Sequence, residues 1–235
     1  MLQEAGFIIG VDLGQAADYT AIAILRKTEN VAFVQAGETY GDYGGHGFRQ
    51  AREKSRTVHL SVGYLERMPL GTPYTAVARH VGNLVKRPRL TLKLPFPAKR
   101  SIPPVLVVDA TGVGRPVIDM MKADGLQPFA LTITGGSTAE GGKVPKRDLV
   151  SSLQILFQSG RLKIAPALQH AKTLADELER FRVKIDPVTA HDSYGAWRSG
   201  SHDDLVLAVA VAAWYATRRI PSTRLNVDSW PTIQR

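Results

Sequence analysis

An α/β fold is predicted for this chain: a mixed sheet, antiparallel in its first strands and parallel in its later ones, flanked by helices. Three observations predict it. The N-terminal apolar runs follow one another in hairpin order, and from residue 104 onward strand-like and helix-like segments alternate. The last patterned segment, 205–216, is apolar on every side, as a helix buried against a sheet must be.

Each element has its own local warrant. FIIGVDLG (7–14) is a short apolar run that closes on an acid and a glycine, a buried strand reaching a turn. YTAIAILRK (19–27) and NVAFVQAGETY (30–40) read as two further strands, with a turn at Thr28-Glu29-Asn30 between them. GDYGGHGFRQAREKSR (41–56) is glycine-rich and then basic, the composition of a loop. In TVHLSVGYLERMP, Val58, Leu60, Val62 and Tyr64 alternate with His59, Ser61 and Gly63, which is the period of a strand. Over 74–87, Ala76, Val77, Val81, Leu84 and Val85 share one side of a helix, and the proline-rich 95–104 is a connector.

PVLVVDATGVG (104–114) repeats the strand, acid and glycine pattern. RPVIDMMKADG then reads as a helix with Pro116 near its start and Gly125 as its stop. PFALTIT is a strand, and the polar glycine loop 135–148 leads into the helix LVSSLQILFQSG, stopped by Gly160. RLKIAP is a short strand and LQHAKTLADELERFRV an amphipathic helix. A loop carrying Asp186, His191, Asp192 and Trp197 returns the chain to the apolar helix. No internal repeat is visible. Residues 1–219 read as one domain and 220–235, with Pro221 and Pro231, as a polar tail.

The charge is uneven. The chain carries a net +9, and between His46 and Arg100 stand 12 Lys and Arg against only Glu53 and Glu66. A basic stretch on an otherwise balanced domain suits a polyanion, most often nucleic acid. There is no cysteine, which excludes disulfides and thiolate metal sites and fits a reducing compartment. MLQEAGFIIGVDLG lacks the pattern of a secretory signal, and 205–216 is too short to span a bilayer. The expectation is a cytoplasmic protein without a membrane partner.

Three acidic positions carry the chemistry. Asp12 and Asp109 each end an apolar strand before a glycine, and Asp203-Asp204 open the apolar helix. One such aspartate is an ordinary turn or cap residue. The joint pattern is different: carboxylates at the ends of buried strands are costly unless something positive compensates them. If the two strands are parallel neighbours, Asp12 and Asp109 leave the sheet side by side, where open α/β sheets bind ligands. Gathered carboxylates must hold a proton or divalent cations, and hard oxygen donors favour Mg²⁺ or Mn²⁺. Two such ions clamp a phosphate for in-line displacement.

With these residues in view, a resemblance is specific. GVDLGQAADYTAIAIL, LVVDATGVGRPVIDMM, VPKRDLVSSLQILFQSGRLKI and SHDDLVLAVAVAAW resemble the C-terminal nuclease domain of phage large terminase subunits, a group of ribonuclease H-like nucleases. The resemblance spans most of 7–218 in order; it is strongest at Asp-Ala-Thr-Gly-Val-Gly and at His-Asp-Asp, and faint across 42–100. It implies a ribonuclease H-like sheet and a two-metal endonuclease that cuts concatemeric viral DNA during genome packaging. The implied cofactors are two divalent cations, Mg²⁺ or Mn²⁺. The implied partners are double-stranded DNA, a packaging ATPase domain, the small terminase and the portal.

Carried over residue by residue, Asp12 matches the first-strand acid that bridges both ions, Asp109 the acid of the neighbouring strand and Asp203 the helix acid. Asp204 matches a second ligand or an outer partner, and Asp18 an additional acid near the metals. Adjacent helical positions point ~100° apart, so Asp203 is expected to be the direct ligand, with one acid of the pair capping the helix. Lys143, Lys146 and Arg147 are candidates to contact the scissile backbone, and His202 to orient a carboxylate. Arg49, Arg52, Lys54 and Arg56 are candidates for a DNA-contacting flap. Trp197, Trp214, His191 and Asp192 read as structural.

The chain departs from a complete large terminase in one respect. The only stretch resembling a P-loop, TGGSTAEGGKVPK, places Val144 after Lys143 where a hydroxyl should stand. The expectation is therefore an excised domain or a separate nuclease-like gene product. A Holliday-junction resolvase shares the expected fold and acid cluster. An actin-like ATPase shares the sheet but needs a second phosphate loop and leaves Asp203-Asp204 unexplained. DNA binding is expected to be indifferent to sequence and steeply salt-dependent.

Overall fold

The structure is a computed structural model of the 235-residue chain, and it describes residues 2–14, 18–35, 52–94, 100–112, 114–136, 138–180 and 203–218. The chain opens with three strands, β1 (Leu2–Asp12), β2 (Ala21–Gln35) and β3 (Arg52–Arg67), and then helix α1 (Tyr74–Val85). A short ribbon, β4 (Leu92–Lys93) with β5 (Ser101–Ile102), precedes β6 (Val105–Asp109) and α2 (Gly114–Ala123). Then come β7 (Phe129–Thr134), β8 (Lys143–Pro145), α3 (Lys146–Gln158), β9 (Leu162–Ile164), α4 (Ala171–Arg180) and α5 (Asp204–Thr217).

Seven strands form one sheet in the order β8-β7-β6-β1-β2-β3-β9. β1, β2 and β3 are antiparallel, whereas β6 joins β1 in parallel and β7, β8 and β9 join their neighbours in parallel. The mixed sheet expected from the sequence is the sheet observed. Alternation along the strands serves two faces. Ile8, Ala21, Ala23 and Leu25 lie in the core beneath α5 and α3, and Ile9, Val11, Ile22 and Ile24 in the core with α1 and α2.

The structure redraws three boundaries. The expected turn at Thr28-Glu29-Asn30 is absent: β2 runs unbroken through it, pairing these residues with His59, Val58 and Thr57. The stretch is polar because the hairpin there passes the end of β1, where Leu2 pairs with Asn30, and its side chains are only half-buried. Lys27 and Glu29, on one face of the strand, form an ion pair at 2.9 Å. Correspondingly, β3 already begins at Arg52, inside the segment expected to be a loop, because pairing with β2 overrides weak local propensity. The loop expected over 135–148 likewise contains β8, and α3 starts at Lys146.

α5 is apolar all round because it is enclosed all round. Leu205, Val206, Ala208, Val209 and the residues through Trp214 are buried. It crosses β1 at Gly10, where a β-carbon would stand 2.1 Å from the Ala208 carbonyl oxygen and 2.9 Å from Ala212 Cβ. Only a glycine permits that approach. With a helical rise of ~1.5 Å and a strand rise of ~3.3 Å per residue, one turn back from Ala208 and two residues on from Gly10 meet at the same place. The first turn of α5 therefore lies over the Asp12 end of β1. Among the described residues no helix is long and apolar enough to cross a membrane. The proposed tail, 220–235, and the loop residues Asp186, His191, Asp192, Trp197 and His202 lie outside the described residues.

Candidate active site

Parallel pairing of β1 with β6 aligns Val11 with Val108, so Asp12 and Asp109 leave adjacent strands at the same edge. Both are buried, at 9% and 7% exposure. Asp109 is held from behind. The backbone N–H of Thr111 donates to its Oδ1 at 2.8 Å, and the Thr111 hydroxyl donates to the same oxygen. That hydroxyl also accepts the N–H of Ile133 at 2.8 Å, tying the acid to β7.

The tight return after β1 brings a further acid to this edge. A β-carbon at Gly14 would lie 2.2 Å from the carbonyl oxygen of Asp18, so the chain folds back directly on itself. The Gly14 N–H donates to Thr20 Oγ1 at 3.2 Å, and the Tyr74 hydroxyl donates to the Gly14 carbonyl at 3.1 Å. Asp18 is exposed, and its charge acts on Asp203.

The helix acids divide. Asp204 is buried at 4% exposure, with Oδ2 3.6 Å from an Arg67 guanidinium nitrogen. Asp203 is half-buried at the N-cap, where its carbonyl accepts the Leu207 N–H at 2.9 Å and its carboxylate lies 3.6 Å from Lys146 Nζ. The side chain of Asp203 caps nothing. The expected division, in which an acid of the pair caps the helix, gives way to another: Glu177 of α4 reaches over, and its Oε2 accepts the Val206 N–H at 3.0 Å. Its other oxygen, Oε1, accepts from Arg67, which also lies over the Tyr19 ring at 5.0 Å.

The electrostatics follow from this crowding. Burial pushes the Asp12 carboxyl well above its ordinary range, and the charges of Asp109, Asp204 and Asp203, in that order, push it further; Lys146 opposes them. Burial raises Asp203, against the ammonium of Lys146. Burial also pushes Glu177 up to about 7, against the Val206 N–H and Arg67. Three carboxylates thus act on that of Asp12.

Among the described residues no three of these groups stand ready-made as a cation cage. Arg67 approaches Asp204 and Lys146 approaches Asp203, so the two helix acids are each held by a cation. The donor set nonetheless fits divalent cations: hard oxygens, more negative than positive groups, and a central carboxyl that burial and its neighbours drive to give up its charge.

The sequence candidates fall into two groups. Asp12, Asp109, Asp203, Asp204, Asp18 and Lys146 are brought together. Lys143, on the edge strand β8, and Arg147, in the first turn of α3, are exposed. Arg52, Lys54 and Arg56 are elsewhere: Arg56 pairs with Val31, ten residues along β2 from the Ala21 that pairs with Asp12, so about 33 Å away. Arg56 is exposed there, 3.9 Å from Glu29. Arg49 lies outside the described residues. Trp214 packs against Phe129 and under Arg218, a core role as expected.

A crystal structure of the large terminase nuclease from the thermophilic phage G20c superposes with a TM-score of 0.52 at 21% identity, over 88% of this chain and 80% of that one. The fold is that of a terminase nuclease. The human cytomegalovirus terminase nuclease domain overlaps with a TM-score of 0.44 at 12% identity, over 92% and 84% of the two chains. No protein-family model and no curated protein matches the sequence. In the terminase-nuclease fold found here, the residues that sequence reasoning missed are Thr111, Arg67 and Glu177. Glu177 had a signal: it follows the buried Leu174 by three positions, so it lies on the apolar face of its own helix.

Proposed function

We propose that this chain is a two-metal DNA endonuclease that hydrolyses phosphodiester bonds, acting on viral DNA in genome packaging. One observation carries the reading: Asp12, buried on the first strand, is surrounded by Asp109, Asp204 and Asp203, whose charges all act on its carboxyl. The terminase-nuclease fold supports it.

In this reading Asp12, Asp109 and Asp204 hold the cations, with Asp203 and Asp18 at the rim. Asp204 takes the place the sequence assigned to Asp203 because its charge weighs more heavily on Asp12 and its side chain is the more buried. When bound, two divalent cations, Mg²⁺ or Mn²⁺, supply the Lewis acidity that in-line displacement at a phosphate requires. The protein's own residues position the reaction. Thr111 fixes the direction of the Asp109 carboxylate. Lys146, beside Asp203, meets the phosphate's negative charge, with the exposed Lys143 and Arg147 as further cations for the backbone. A water oxygen forms the new bond to phosphorus and gives up a proton to solvent, the bond to the leaving ester oxygen breaks, and that oxygen takes up a proton from solvent.

The substrate is double-stranded DNA, and the packaging ATPase, small terminase and portal are the partners this role requires. The test is cleavage of supercoiled plasmid with Mg²⁺, Mn²⁺ or EDTA, wild type beside Asp109→Asn. Nicking and linearisation that need metal and vanish in the variant are expected. Equal cleavage by the variant, or in EDTA, overturns the reading.

A further inference from the structure

Glu177 and Arg67 come from elements far apart in the chain, α4 and the last residue of β3, yet they meet at the first turn of α5. Glu177 is buried at 6% exposure, and Arg67 keeps only 16% of its side chain exposed. A carboxylate and a guanidinium withdrawn this far from water are costly to bury, and an apolar pair would pack the same space without that cost. The geometry gives the charges another use. Glu177 spends one oxygen on the Val206 N–H, which fixes the height and rotation of α5, and the other on Arg67. Arg67, so anchored and flanked by the Tyr19 ring, presents its guanidinium to Oδ2 of Asp204 at 3.6 Å.

We propose that Glu177 and Arg67 are positioning residues for metal binding: Glu177 holds the first turn of α5 and Arg67 together, and Arg67 aims the Asp204 carboxylate toward Asp12. The proposal rests on the metal-nuclease reading of the site. Neither residue touches substrate. Their action passes through the orientation of one carboxylate, as groups behind metal ligands commonly act, and loss of such a partner typically weakens metal affinity roughly 10–100-fold.

The test measures Mn²⁺ affinity by calorimetry, apart from cleavage, on the full chain. Glu177→Gln keeps the size of the side chain but has one carbonyl oxygen where Glu177 presents two carboxylate oxygens. It preserves the cap on Val206 and loses the charge that anchors Arg67. Arg67→Lys keeps a charge and loses the planar fork. For both, Mn²⁺ affinity is expected to fall about tenfold or more, with the far-UV circular dichroism of the metal-free protein at about 20 °C and its DNA binding in EDTA unchanged. The double replacement Arg67→Met with Glu177→Leu removes both charges of the buried pair together, leaving Asp204 without its cation and the Val206 N–H without its acceptor, and it too is expected to lose Mn²⁺ affinity. Wild-type affinity in the folded variants overturns the positioning role. Absence of Mn²⁺ binding by the wild type overturns the metal reading itself, a distinct outcome.

Discussion

Gly10 and Ala208 touch backbone to backbone: a β-carbon on Gly10 would sit 2.1 Å from the Ala208 carbonyl oxygen. Ala21 and Ala23 on β2, and Ala212 on α5, keep the rest of this packing equally shallow. The consequence is functional as well as structural, because the crossing point sets where the first turn of α5 arrives. Asp204 is carried to Asp12 by a meeting of helix and strand that involves no acid.

Gly10→Ala is therefore expected to lower stability by about 3 kcal/mol, since the obstructing atom belongs to a helix backbone that cannot rotate away. Urea denaturation measures it. Where the variant folds, α5 is displaced, and Mn²⁺ affinity falls with stability; a variant as stable as wild type would refute the close approach.

Thr111 joins Asp109 to β7. In Thr111→Val the shape is kept, but Asp109 loses the hydroxyl donor and the Ile133 N–H loses its acceptor. The expected cost is about 1–3 kcal/mol, together with weaker Mn²⁺ binding, and Thr111→Ser should restore both. Chemical denaturation and calorimetry on the three proteins decide it.

Three carboxyls of the metal-free protein are raised: Asp12, Asp203 and Glu177, the last to about 7. The sign follows from linkage. A raised folded pKa means that the native state binds the extra proton, so this stabilisation is complete below the unfolded carboxylate range near pH 4 and is lost as pH rises through the folded values. In EDTA, stability should fall between about pH 4 and pH 7. Asp12→Asn should flatten that fall and raise stability at pH 7. Mn²⁺ binding at pH 7 should release protons, seen as a dependence of calorimetric heat on the buffer's ionisation enthalpy.

The basic end of the β2–β3 hairpin stands about 33 Å from Asp12. Replacing Arg52, Lys54 and Arg56 together by Ala should weaken DNA binding and flatten its salt dependence by as much as about 0.9 in log–log slope for each phosphate that is no longer neutralised. Mn²⁺ affinity should not change. Filter binding across a salt series, beside calorimetry, separates the two; an unchanged salt slope would remove this arm from the DNA interface.

Elements with a local cause are legible in the residues alone. Apolar runs ending in Asp12 and Asp109 are strands because their neighbours along the chain make them so, and 204–217 is a buried helix for the same reason. Those patterns also make the acid cluster legible, since each acid ends or opens an element. The rest depends on which elements meet. Thr28-Glu29-Asn30 looks like a turn and is a strand because β3 pairs with it. The basic stretch is continuous in the sequence but divided in the fold between β3, α1 and the segment that follows it, because topology and register rather than composition set how far a residue lies from the site. Glu177 and Arg67, 110 residues apart, meet only in the folded chain. Local patterns report propensity and burial over one or two turns, whereas an ion pair across the fold is set by topology, which brings α4 and the end of β3 to the same turn of α5.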